Sequence, residues 1–316
     1  MKFGLFGGPR TEGYRAYIDA VVEAEALGYH GNFLVEHHFT GIGQVSASLN
    51  LLTFLAARTS TIRLGTAVVV LPWHNPVLVA EQAATLDQLS NGRLDFGVGK
   101  GYRPNEFDGF CIPVAEANER FEEAMAVIKQ AWTAGGRFSH HGKRWHYDNI
   151  VVEPPPLQNP HPPLWLAAGK PDSLEYAARH GYRLFLDQLQ TVEVIIERLD
   201  IFKRARAACG RTYDPMEVAV ARGLMIARTA EEREQAVAMR MQALGMLNTF
   251  GSSQSSMMSD ANLRKAAEDG TLIGTTDEIA RRLELLRAQG VEYVLLATSH
   301  PPTLRTFAKE IMPAFA

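Results

Sequence analysis

The sequence predicts an α/β fold, a (β/α)8 barrel of the TIM barrel type, with insertions after strands four and seven. Three observations carry this. Short, near-continuous apolar runs alternate with amphipathic segments along all 316 residues. Strands buried on both faces between helices read this way and imply a parallel sheet. The alternation repeats about eight times, which at this chain length fits a closed barrel better than a doubly wound sheet. No linker rich in Pro, Gly or Ser interrupts it, so residues 1–316 are expected to form a single barrel domain.

The elements follow in order. "KFGLFG" is an apolar strand, and "YRAYIDAVVEAEALG" carries Tyr14, Tyr17, Ile18, Val21, Val22 and Leu27 at helical spacing, with Gly28 as its stop. "GNFLV" is the second strand, and "SASLNLLTFLAARTS" a helix that Ser46 would start. "IRLGTAVVVL" is a β-branched third strand. In "NPVLVAEQAATLDQLS", Asn75 is the cap and Pro76 opens the first turn. "RLDFGVG" is the fourth strand. The second half repeats the rhythm with strands "PLWLAAG", "YRLFLD", "MEVAVARGLMIA" and "VEYVLLAT", each followed by a helix. Two stretches break it. Residues 102–163 hold an extra helix and a short hairpin with a Pro-rich return, and residues 248–270 are small, polar and Met-containing. Inserts after barrel strands lie on the active face and often act as lids. Met257 and Met258 can give the second insert an apolar lining or equally be surface residues on a loop.

Bulk composition narrows the function. The chain is 46% apolar with a formal net charge of −3, and its 32 basic residues form no stripe suited to nucleic acid. Cys111 and Cys209 offer no disulfide framework and suit a reducing cytoplasm. No apolar run approaches a membrane span, and "MKFGLFGGPR" is not a signal peptide.

Three segments hold candidate site residues. Glu36, His37 and His38 close the second strand, where alternation aims one histidine at the barrel mouth and its neighbour at the next helix. The pair can equally be solvated or core histidines. A metal site fits poorly, because adjacent histidines on a strand diverge and no second ligand pair is in sequence reach. "LDFGVGKGYRPNEF" ends the fourth strand with Gly97, Gly99 and Gly101 around Lys100. The glycine spacing is wrong for a dinucleotide fingerprint, but bare backbone admits a flat ring. Gly169, Lys170 and Ser173 mark a strand-to-helix turn whose N–H groups make an anion site or an ordinary cap.

Together "MKFGLF", "EHHFTGIG", "LGTAVVVLPWHNPVLVAEQAATLDQLSNGRLDFGVGKG" and "IGTTDEIARRLELLRAQGV" resemble the bacterial luciferase-like flavin monooxygenases, and "EHHFT" the luciferase α subunit in particular. The resemblance runs through nearly the whole chain. It implies a (β/α)8 homodimer that takes reduced FMN from a separate reductase. O2 would add to the flavin as a C4a hydroperoxide and oxygenate a small apolar or carbonyl substrate. His37 matches the catalytic base, His38 a second histidine near the active site, and Glu36 precedes them in the motif. Ala67 and Val68 match a non-proline cis peptide beneath the flavin ring, Lys100 an arginine near the phosphate, and Glu106 an acidic residue near the flavin. Gly169, Lys170 and Ser173 match the phosphate turn. Leu51, Leu52, Phe54 and Leu55 would lie at the dimer interface. Gly99 replaces a reactive cysteine of luciferase α, so light emission is not implied. A deazaflavin-dependent dehydrogenase on the same barrel and a non-catalytic flavin-binding protein are the alternatives.

Overall fold

The computed structural model describes residues 1–9, 12–251 and 260–316. Chain order is β1 (Lys2–Gly7), α1 (Gly13–Ala26), β2 (Gly31–Leu34), α2 (Ser48–Arg58), β3 (Arg63–Thr66), β4 (Val69–Val70), α3 (Pro76–Leu89), β5 (Leu94–Gly99), α4 (Pro104–Gly109) and α5 (Ala117–Thr133). It continues with β6 (Phe138–His141), β7 (His146–Ile150), β8 (Leu164–Ala167), α6 (Pro171–Arg179), β9 (Arg183–Leu186), α7 (Val192–Ala208) and β10 (Val218–Ile226). The last elements are α8 (Ala230–Gly251), α9 (Asp260–Gly270), β11 (Thr271–Gly274), α10 (Thr276–Ala288), β12 (Tyr293–Ala297) and α11 (Pro301–Glu310).

The main sheet runs β12-β1-β2-β3-β5-β8-β9, and β10 pairs with both β9 and β12, closing an eight-stranded parallel barrel with helices between the strands. This is the fold class expected from the alternation. The expected third strand is two pieces. The Ala67–Val68 peptide is cis and separates β3 from β4, whose Val69 and Val70 pair with Val98 and Gly99. One parallel strand escaped the sequence reading. β11 pairs Thr271–Gly274 with Gly223–Ile226, and a run of four residues is too short to distinguish from the insert before it. Helix α2 begins at Ser48, so Ser46 is not its cap. Asn75 does cap α3, its Oδ1 accepting from the N–H groups of Val77 and Leu78. The insert after strand four holds α4, α5 and the β6–β7 hairpin. Much of the second insert is helix, in α8 and α9, and Met257 and Met258 lie outside the described residues.

Packing divides the chain into two compact units, residues 1–33 with 166–316 and residues 34–165. In the first, Phe3 meets Phe307 and Phe315 edge-on, at 5.0 and 5.8 Å, on the helix side of β1. Phe33 meets Phe185 at 5.3 Å and Tyr293 at 6.0 Å. In the second, Arg93 is a buried staple. Its guanidinium donates to the carbonyls of Ala56, Thr59, Ile62 and Ser90 and to Thr59 Oγ1, tying the end of α2 to the start of β5. Asp87 accepts from the N–H groups of Leu157 and Gln158 and from Gln158 Nε2, which pins the Pro-rich return to α3. Leu51, Leu52 and Leu55 are buried against their own unit, because they form the inner stripe of α2; of the four residues expected at a dimer interface only Phe54 is exposed.

Candidate active site

Strand β2 stops at Leu34, two residues before Glu36, so Glu36, His37 and His38 stand on the loop that follows it. The His37 N–H donates to Val45 O at 2.8 Å and closes that loop. Each histidine then meets its own buried carboxylate. His37 Nδ1 lies 3.1 Å from Glu106 Oε1, and the same oxygen accepts the His38 backbone N–H at 2.9 Å. His38 Nε2 lies 2.9 Å from Glu36 Oε1. A third imidazole, His74, places Nε2 2.7 Å from that same Glu36 oxygen, and Glu36 Oε2 accepts the Val70 N–H at 3.0 Å.

Glu36 is 3% exposed and Glu106 1%. Burial alone would push the Glu36 carboxyl up. Hydrogen bonds from His38 and His74, the charge of His74 and the Val70 N–H outweigh it and hold Glu36 below the ordinary carboxylate value. Against a carboxylate, which only accepts, His38 and His74 both donate from Nε2. By the same logic His37 donates from Nδ1 to Glu106 and keeps the Nε2 lone pair for a proton. Arg103, 0% exposed, stands behind this pair, with Nη1 3.7 Å from Glu106 Oε1 and 3.3 Å from Gln44 Oε1. Aromatic rings wall the His38 side. Phe110 lies 4.7 Å and Trp73 5.4 Å from its imidazole, and Trp73 stacks on Phe110 at 5.3 Å.

Ala67 and Val68 are half-buried and joined by the cis peptide that the resemblance implies. Gly99 passes over Val68 so closely that a Cβ there would come within 2.5 Å of Val68 Cγ2. The Val68 side chain therefore occupies the space beside Gly99, and no residue larger than glycine fits there. Lys100 extends over the Phe121 ring, with Nζ 5.5 Å from its centroid. In the other unit, Gly169 precedes α6, Lys170 is exposed at the N-cap position and Ser173 is half-buried in the first turn. Arg198 closes on Gly169, where a Cβ would stand 3.0 Å from its guanidinium, and pairs with Asp187 at 2.6 Å.

His74, Arg103 and Arg198 were missed by the sequence reading. His74 had one available signal, its place directly before the Asn-Pro helix start in "LPWHNP". Among the described residues no group of three His, Cys, Asp or Glu is arranged to hold a metal. A surface hollow of about 340 Å³ is lined by residues of α2 and α3, including Asn50, Thr53, Glu81 and Gln82, and by none of the candidate residues.

Comparison with known proteins agrees with the geometry. The family model described as luciferase-like monooxygenase matches residues 1–293. The oxygenase component of a flavin-dependent trigonelline monooxygenase from Acinetobacter baylyi is 27% identical over 96% of this chain and 90% of its own length. An FMNH2-dependent dimethylsulfone monooxygenase from Pseudomonas putida is 30% identical over 82% of this chain and 76% of its own. The crystal structure of the monooxygenase RslO1 from Streptomyces bottropensis superposes with a TM-score of 0.87 at 26% identity, covering 100% of both chains.

Proposed function

The chain belongs to the luciferase-like monooxygenase family, and from that membership we propose that it is the oxygenase component of a two-component system. It is an FMN-dependent monooxygenase; reduced FMN reaches it from a separate flavin reductase, and its second substrate is a small apolar or carbonyl compound. Relatives named for FMNH2-dependent and flavin-dependent oxygenation favour this over a deazaflavin dehydrogenase.

The observation that carries the reading is the pairing of His37 with the buried Glu106, together with the cis Ala67–Val68 peptide packed against Gly99. In this reading Ala67 and Val68 lie against the flavin ring. Gly169, Lys170 and Ser173 suit the phosphate, where N–H groups open α6 and Arg198 adds charge. When bound, reduced FMN activates O2. The protein's share is to orient, to exclude water and to manage protons. His37 takes a proton at Nε2, and Glu106 stabilises the imidazolium that results. His38, held by Glu36, and the rings of Trp73 and Phe110 shield the same place from solvent. Cys111 and Cys209 are both free and exposed, which supports a cytoplasmic setting. The exposed apolar residues Phe54 on α2 and Leu78 and Leu89 on α3 support a homodimer through those helices.

The test is stopped-flow mixing of the purified chain and photoreduced FMN with O2. Binding of reduced FMN and an oxidation course distinct from that of the free flavin are expected. Binding of reduced deazaflavin with no interaction with FMN would overturn the proposal in favour of a dehydrogenase.

A further inference from the structure

Arg222 lies within β10 and is 1% exposed. Its Nη1 donates to the carbonyl oxygens of Asp187 and Ala221, both at 3.0 Å. Its Nε and Nη2 are sealed from solvent and meet no acceptor among the described residues. These two N–H groups form one edge of the guanidinium, the fork that grips both oxygens of a carboxylate. The chain uses the same edge elsewhere. Arg305 offers Nε and Nη2 to the two oxygens of Glu23, and Arg206 offers them to Thr212 O at 3.1 and 2.9 Å.

The charges that act on Arg222 are mostly positive. Arg198, Arg240 and Arg282 repel the Arg222 cation, while Asp187 attracts it. Asp187 is already paired with Arg198. Arg240 donates to the neutral oxygens of Thr271 and Gln188, and Arg282 to the carbonyls of Thr271, Glu268 and Asp269. Burial first, and the three neighbouring cations after it, push the Arg222 guanidinium down to about 10. A buried cation with two unanswered donors is costly, and an anion removes both penalties at once where a water removes only one.

We propose that the Nε–Nη2 edge of Arg222 is a binding site for the carboxylate of a small organic acid. The opposite side of the guanidinium is already fixed, because Nη1 ties β10 to the segment after β9 through Asp187 O. The charge excess selects an anion, and the two parallel donors select a planar group with two oxygens over a spherical ion.

Acetate is the probe. Crystals of the purified chain grown in acetate without halide should show flat density across the fork, with both oxygens at about 2.7–2.9 Å. In solution, acetate should raise the melting temperature above that in chloride at equal ionic strength, by about 2 °C or more. Arg222→Lys keeps the charge and loses the fork, so that difference should vanish. A single water at the fork overturns the proposal, as does an equal acetate effect in the Arg222→Lys variant. A spherical ion there in halide-soaked crystals that acetate does not displace overturns the carboxylate assignment. Should the variant not fold, the density in the unaltered chain decides.

Discussion

His37 and His38 are neighbours in sequence, yet they answer to different carboxylates. Glu106 takes the first through Nδ1 and Glu36 the second through Nε2. That difference is what favours His37 as the proposed base. His37→Ala should keep the fold and FMN affinity and lower turnover with pre-reduced FMN by roughly 10²–10⁴-fold. His38→Ala measured alongside should fall less; near-native turnover in His37→Ala would make that histidine structural. Glu36 governs acid stability instead. Its folded value lies below the ordinary carboxylate value, so the fold favours the charged form. That contribution is whole above about pH 4.3, the ordinary value, and is lost as pH falls through the depressed one. Urea melts between about pH 5 and pH 3 should therefore lose stability more steeply for the unaltered chain than for Glu36→Gln; equal slopes would show that Glu36 carries no such linkage. The "EHHF" cluster was legible because three ionisable groups in a row do not belong at the end of a buried strand. His74 was not, since its bond to Glu36 spans 38 positions and no local pattern announces it.

At the level of elements, periodicity located most of the helices and barrel strands, because burial on both faces leaves a continuous apolar signature. It failed where backbone geometry overrides side-chain pattern. "LGTAVVV" is uniformly apolar, and nothing in its composition marks the break between β3 and β4. The polar anchors between elements were equally silent. Arg93 reads as a surface cation after a turn, but it satisfies four backbone carbonyls from α2, the turn that follows it and the end of α3. Removing it strands several buried acceptors, each worth roughly 1–3 kcal/mol. Arg93→Ala should lower stability by about 3 kcal/mol or more. The reading is a lower urea midpoint at unchanged slope. A loss within about 0.5 kcal/mol, typical of surface changes, would show the staple to be dispensable.

For the molecule as a whole, the exposed side chains of Phe54, Leu78 and Leu89 lead to a prediction about assembly. The unaltered chain should sediment as a dimer at micromolar concentration, and Phe54→Asp with Leu78→Asp should shift it to monomer without changing its melting temperature under dilute conditions. A monomer before substitution would remove the homodimer from the proposed function. The two packing units also differ in a way that matters on the ribosome. Residues 34–165 are one continuous stretch, whereas the other unit joins residues 1–33 to residues 166–316. The middle stretch can settle while the remainder is still being translated. Strand β1 has β2 as an early neighbour, but its other edge stays open, because Lys2 finds Tyr293 only when that residue emerges. At roughly 5–20 residues per second, Phe3 and Leu5, both core residues of the finished protein, wait about fifteen seconds to a minute for β12, the second of the strands beside them. One edge of β1 thus stays unpaired until the far end of the barrel has been made.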